Sequence, residues 1–226
     1  MNDEWLARWE NGQTGWHESG GNSALRKFWP RLAQGSRVLV PLCGKTPDLL
    51  WLAQQGLDVT GVELSEIAAR AFFTEADIEF EFELCGGFSC FRSREPGLNI
   101  VCGDYFQYSD KPFDALYDRA ALVALPPGLR PAYVEHTKSL LSADAALLLI
   151  TLEYRQSIAE GPPYSVLSDE VKRYWPGIER AGARSAMANI PPKFKDAGIS
   201  QFVEAVWMTG AASQARQAGM KFQSLD

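Results

Sequence analysis

The chain has 226 residues, 46% of them hydrophobic and 12% aromatic, which suffices for one sizeable core without staples. Its formal net charge of −6, with no basic run interleaved with aromatics, excludes nucleic acid as an expected partner. Cys43, Cys85, Cys90 and Cys102 form no C-x-x-C pair, and only His17 and His136 are at hand to complete a metal site, so we expect four free thiols, no metal and a reducing cytoplasm.

The N-terminal stretch "MNDEWLARWENG" is amphipathic and acidic, without the basic start and apolar core of a signal peptide. No later segment has the apolar length of a membrane span. Residues 2–30 form a preamble in which Trp5, Trp9, Trp16 and Trp29 surround "ENGQTGWHESGGN", a Gly- and Asn-rich loop that breaks any helix. A buried strand is expected over Arg37 to Pro41, then a helix from about Thr46 to Gln55 with Pro47 near its start and Gly56 as its stop. "DVTGVEL" reads as a second strand, and Ser65 with Glu66 opens the helical run "SEIAARAFFTEA". "IEFEFELCGGFSCFRS" alternates apolar and polar residues about Gly86 and Gly87, either as a hairpin or as two short irregular pieces. "LNIVCGDYF" and "FDALYDRAALVAL" supply two more strands and their exits, followed by a helix around "PAYVEHTKSLL" and a buried strand in "AALLLITLEY". "EGPPYSVLSDEVKRYWP" carries turn signals and then a helix, and "FVEAVWMTG" is a final strand. Such alternation predicts an α/β fold, a doubly wound sheet with helices on both faces, in a single domain over residues 1–226.

Ligands of such sheets sit beyond the carboxyl ends of the strands. The first exit, inside "VLVPLCGKTPDLLWLAQQG", ends in Gly44, Lys45 and Thr46, the last letters of a phosphate-binding P-loop. The early glycine of that loop is replaced by Leu39, within an apolar strand, and Pro41, Leu42 and Cys43 fill the turn, so the dinucleotide pattern G-x-G-x-x-G fails as well. A di- or triphosphate is therefore not the expected ligand.

The remaining exits offer Glu63, Asp104 and the pair Asp118 and Arg119. Glu63 lies about twenty residues past the first turn, the spacing of a carboxylate that accepts from both ribose hydroxyls of an adenosyl ligand; the other use of an acid there is to complement a helix dipole. Asp104 is either an acceptor for an adenine amine, with Tyr105 or Phe106 against the ring, or the cap of a short helix. Asp118 and Arg119 are either site residues or a partly buried ion pair. Trp5, Trp9 and Trp16, so close together in a loop of glycines, are either a lid over the ligand or a packed N-terminal helix.

Taken together, "RW…GWH", "VLVPLCGK", "GVELSE", "FFTE", "CGDYF", "YDRAALVALP", "LLITLEY" and "EGPPYSV" resemble the thiopurine S-methyltransferase family, particularly its bacterial members, from Trp5 to about Tyr174. The resemblance fades across "GIERAGARSAMANIPPKFKDAGIS". It implies a seven-stranded class I (Rossmann-like) methyltransferase sheet that binds S-adenosylmethionine, with "PLCGK" in place of a glycine-rich turn. It implies cofactor contacts from Trp9, Leu42, Glu63, Asp104 and Arg119, an acceptor-closing role for Trp16, and a catalytic role for Arg119 near the acceptor sulfur. Residues 1–30 are then the lid. A second substrate-side cation has three candidates, Arg180, Arg184 and Lys193. The expected activity is methyl transfer to an aromatic or heterocyclic thiol by a cytoplasmic monomer. The alternatives are a methyltransferase for selenium, tellurium or other small anionic acceptors, and a nicotinamide-dependent oxidoreductase on the same sheet. Cys43 and Cys102 lack a histidine partner in the sequence and read as small buried side chains rather than nucleophiles.

Overall fold

The computed structural model describes residues 2–15, 17–95 and 97–209. In chain order the elements are α1 (Asn2–Glu10), α2 (Ser23–Phe28), β1 (Arg37–Pro41), α3 (Asp48–Gln54), β2 (Asp58–Glu63), α4 (Glu66–Glu75), β3 (Glu81–Cys85), β4 (Phe88–Arg92), β5 (Leu98–Cys102), β6 (Phe113–Asp118), α5 (Ala121–Ala124), α6 (Arg130–Ser139), β7 (Leu141–Glu153), α7 (Ser168–Tyr174), β8 (Glu179–Ser185), α8 (Pro192–Asp196) and β9 (Val203–Met208), with 3-10 turns at Tyr105–Gln107 and Met187–Asn189. The chain divides into two compact units, one of Met1–Lys27 with Arg31–Ala115, the other of Phe28–Pro30 with the described residues from Leu116 onward.

In the first unit β1 and β2 pair in parallel, as do β2 and β5, and the antiparallel hairpin β3–β4 continues the sheet beyond β5. Val38, Leu39, Val59, Val62, Leu98 and Ile100 are fully buried, as continuous apolar strands covered on both faces should be. Each contributes roughly 1.5–3 kcal/mol of burial. Because the registers pair Pro41 with Val62 and Glu63 with Cys102, the three strands end side by side and their exit turns share one edge. Ser65 starts α4 by accepting from the Ala68 amide, the capping that the sequence around Glu66 signals. Cys85 and Cys90 form a disulfide diagonally across the hairpin, Cys90 standing opposite Glu83 and Cys85 opposite Phe88, which corrects the expectation of four free thiols; the pairing of β3 with β4 brings them together, and their spacing in sequence does not announce it.

In the second unit β9 lies between β7 and β8 and is antiparallel to both. Among the described residues the sheet carries nine strands rather than the seven expected. The β3–β4 hairpin accounts for the two extra. The α/β class with helices flanking a large sheet holds.

Two buried polar groups organise the second unit. Arg130, 1% exposed, meets both carboxylate oxygens of Glu170 at 2.9 Å and donates to the carbonyls of Leu125 at 3.0 Å and Ser165 at 3.2 Å. It thereby joins the chain after α5, the start of α7 and the "GPPYSV" segment. Asp118, at the end of β6, accepts from the amides of Ala121 and Leu122 through Oδ1 and from the Tyr133 hydroxyl through Oδ2 at 2.8 Å. Burial pushes its carboxyl up to about 6, although the three hydrogen bonds pull the other way.

Arg130→Met leaves Glu170 with an uncompensated, largely buried charge, and we expect it to lower unfolding free energy by about 3–5 kcal/mol in urea titrations. For Asp118 the sign follows from linkage. A carboxyl whose folded pKa lies above its unfolded value of 3.8 stabilises fully below that value, and the contribution is lost as pH rises through about 6. Asp118→Asn keeps an acceptor but cannot ionise. Its stability relative to the parent should therefore climb between pH 4 and 6, by at most about 3 kcal/mol, in melts taken across that range. A difference that stays flat with pH contradicts this assignment.

Candidate active site

The first-unit site is built on the turn between β1 and α3. Leu42 and Gly44 both adopt left-handed backbone, with φ of 48° and 57°. For Leu42 such a conformation costs of order 1–3 kcal/mol and persists only where the surroundings impose it. One such restraint is the Cys43 amide, which donates to the Val62 carbonyl at 3.1 Å and ties the turn to β2. At Gly44 the positive φ favours glycine, and the Trp9 indole packs beside it, 3.4 Å from where a Cβ would stand. The turn is thus roofed by α1. Lys45, next along, reaches Glu75 at 2.5 Å at the end of α4 instead of facing a phosphate.

Glu63, 7% exposed at the end of β2, is the electrostatic centre of this edge. Its Oε2 accepts from the Gly44 amide at 2.7 Å and its Oε1 from the Ser65 amide at 3.0 Å. Desolvation raises its pKa, and the amides of Ser65, Gly44 and Leu64 oppose that rise. The first helical turn of α4 carries Glu66 in the position for which Glu63 was the alternative. A carboxylate has about four lone-pair sites, and the two amides use only some of them, which leaves capacity for ligand hydroxyls. The Cys43 and Cys102 thiols are both buried beside it, their pKa values raised first by burial and then by the Glu63 charge. Thiols held protonated in this way make poor nucleophiles.

The β5 exit completes the edge. The Gly103 amide donates to the Glu63 carbonyl at 2.9 Å, and the Phe88 ring occupies the place where a Gly103 Cβ would stand. Asp104 Oδ1 accepts from the Phe106 amide at 3.0 Å and caps the 3-10 turn, the use that the sequence offered as its second option. Trp9, Leu42, Glu63 and Asp104 therefore all belong to one unit, at or over the exits of β1, β2 and β5. This set fits an adenosyl ligand: a buried carboxylate with lone pairs to spare, a left-handed turn, an indole packed on it and a second carboxylate. Trp16, expected to close over the acceptor, lies outside the described residues.

Arg119 is half-buried in the second unit, directly after Asp118 and before α5, from whose first two amides Asp118 accepts. Among the candidate second cations, Arg180 pairs with Glu153 at 3.1 Å, Arg184 with Glu204 at 2.7 Å, and Lys193 donates to the carbonyls of Glu160 at 3.0 Å and Pro162 at 2.6 Å. Asp48, Asn22 and the Tyr133 hydroxyl are buried polar groups that no sequence motif singles out. Only the position of Asp48 at the start of a helix signalled anything, and helix-start acids are common.

Comparison with known proteins bears on family and fold. The family model for thiopurine S-methyltransferase matches residues 1–211. The thiopurine S-methyltransferase of Photobacterium profundum is 41% identical over 211 residues, covering 92% of this chain and 98% of its own, and that of Pseudomonas aeruginosa is 42% identical over 213 residues, covering 91% and 97%. In fold the chain is similar to the 1,6-didemethyltoxoflavin-N1-methyltransferase of Burkholderia thailandensis, crystallised with S-adenosylhomocysteine (TM-score 0.59, 15% identity, 92% of this chain and 86% of that one). It is also similar to a glycopeptide N-methyltransferase complexed with S-adenosylmethionine (TM-score 0.54, 17% identity, 84% and 87%). The nicotinamide alternative falls with these findings and with the absent glycine pattern. Among the described residues no helix is long and apolar enough to cross a membrane. The chain belongs to the thiopurine S-methyltransferase family, a family of S-adenosylmethionine-dependent methyltransferases.

Proposed function

We propose that this chain transfers the methyl group of S-adenosylmethionine to an aromatic or heterocyclic thiol. The observation that carries the proposal is the family match over residues 1–211, read together with the buried Glu63 carboxylate at the strand exits. Bound S-adenosylmethionine supplies an electrophilic sulfonium methyl. We assign the ribose hydroxyls to Glu63, the adenine amine to Asp104 through Oδ2, the methionine part to the backbone about Leu42, and a covering role to Trp9. Arg119 is assigned to both cofactor and acceptor, Trp16 to the acceptor.

The protein's remaining tasks are alignment and exclusion of water, because transfer is a direct displacement. No covalent relay is needed, and the protonated, buried Cys43 and Cys102 are consistent with that. Aromatic thiols ionise near neutral pH, so a guanidinium placed beside the acceptor, the role assigned to Arg119, favours the thiolate without a dedicated base. We take the enzyme as a cytoplasmic monomer acting on a small molecule, with no nucleic acid involved.

Glu63→Ala is expected to weaken S-adenosylhomocysteine binding by about 1.5–3 kcal/mol in isothermal titration, the worth of hydrogen bonds to a charged group. Unchanged affinity in a variant that melts normally removes Glu63 from the cofactor site.

Arg119→Lys keeps the charge but loses the planar fork, so catalysis should fall further than binding. The defect should grow with acceptor pKa, since a thiol already ionised at assay pH needs less help. Single-turnover rates over a series of aryl thiols measure this, and a defect independent of acceptor pKa would falsify the acceptor role and leave Arg119 with the cofactor alone.

A further inference from the structure

Asp48 is 2% exposed at the first position of α3, immediately after the β1 turn, and the function proposed above gives it no task. Its Oδ1 accepts from the Asn22 amide at 2.8 Å. Asn22 is itself 1% exposed; its side-chain oxygen accepts from the Ala24 amide at 2.9 Å to start α2, and its side-chain nitrogen reaches Glu18 Oε2 at 3.3 Å. Beside it, Gly21 has φ of 69°, and a Cβ there would collide with Asp48 Oδ1. Four features therefore fix one point: a buried acceptor, a buried amide, a left-handed glycine and the absence of room for a side chain.

Between that point and Trp9, backbone hydrogen bonds join the Gly21 amide to the Glu18 carbonyl at 3.0 Å, His17 to Thr14 at 2.9 Å, Thr14 to Gly12 at 3.0 Å, and Gln13 to Arg8 at 2.8 Å. At the far end of this segment the Trp9 indole, 8% exposed, covers Gly44. Both ends of the segment thus rest on the same stretch of chain, Gly44 to Asp48, one through apolar contact and the other through a buried hydrogen bond.

We propose that Asp48 is a positioning residue: by holding the Asn22 amide it sets the N-terminal segment so that Trp9 closes over the cofactor turn. The proposal rests, for its effect on binding, on the assignment of Trp9 to the cofactor. The test reads the two separately. In the free full-length protein, the Trp9 contribution to fluorescence, taken as the difference between each variant and its Trp9→Phe counterpart, reports whether the indole is buried. Asp48→Ala should shift that difference to the red and raise its acrylamide quenching, and should weaken S-adenosylhomocysteine binding about five- to tenfold, as expected for one lost buried hydrogen bond. Asp48→Asn, which keeps an acceptor and loses the charge, should match the parent in both. Gly21→Ala should resemble Asp48→Ala.

Trp9 remaining buried in Asp48→Ala overturns the proposal, whatever happens to affinity. Loss in Asp48→Asn equal to that in Asp48→Ala overturns it in favour of a charge effect on α3. Exposure of Trp9 with unchanged affinity supports the positioning role and instead removes Trp9 from the cofactor site. If neither Asp48→Ala nor Gly21→Ala folds, the contact is a determinant of the fold and the positioning proposal fails.

Discussion

Two hydrogen bonds to one buried carboxylate hold the site together. Glu63 receives the amides of Gly44 and Ser65, and through them the last residue of β2 is fastened to the turn after β1 and to the cap of α4. Hydrogen bonds to an ionised acceptor are about twice as strong as neutral ones, and a buried donor left without a partner costs about 1–3 kcal/mol. The left-handed backbone at Leu42 and Gly44 is sustained by that arrangement. A turn built in this way needs no glycine-rich loop, because it does not have to wrap a phosphate.

The same device recurs in the second unit with a different balance. Asp118 also accepts two backbone amides from the helix that follows it, and takes its third bond from a tyrosine. In both acids desolvation outweighs the hydrogen bonds. A carboxylate kept in such a position weakens the fold when ionised, which is the pattern expected where a group is retained for what it binds or orients. Arg130 does the opposite, spending its donors on Glu170 and on two carbonyls, so its charge is fully engaged.

The β8 strand and the disulfide mark where reading the chain fell short. "ERAGARS" has neither apolar alternation nor a β-branched residue, yet it forms β8 because β9, with its buried Ala205, Val206 and Trp207, offers an edge to pair with. Strand propensity here is overridden by the neighbour. Cys85 and Cys90 flank a Gly-Gly turn and meet only because β3 and β4 pair; no spacing rule for metal or redox motifs covers them. Asp48 and Asn22 went unseen for a related reason, since a contact between residues 26 positions apart leaves no local pattern.

What the sequence determined by itself was whatever local periodicity and turn chemistry encode. The apolar runs of β1, β2 and β5, the Ser65 cap, and hence the α/β class and the residues at strand exits are all short-range properties; for the segment about Gly86 and Gly87, which the sequence leaves open between a hairpin and two irregular pieces, the pairing of β3 with β4 decides for the hairpin. The motifs around "PLCGK" and "YDRAALVALP" carried the family. Only tertiary structure decided the partners of those residues: that Glu63 serves two amides, that Asp104 caps a turn with one oxygen, that Trp9 roofs Gly44, and that an acid at a helix start anchors residue 22. The physical reason is that a hydrogen bond or a close approach between distant segments depends on where the backbone goes, and the side-chain type states only what can be bonded, not to what.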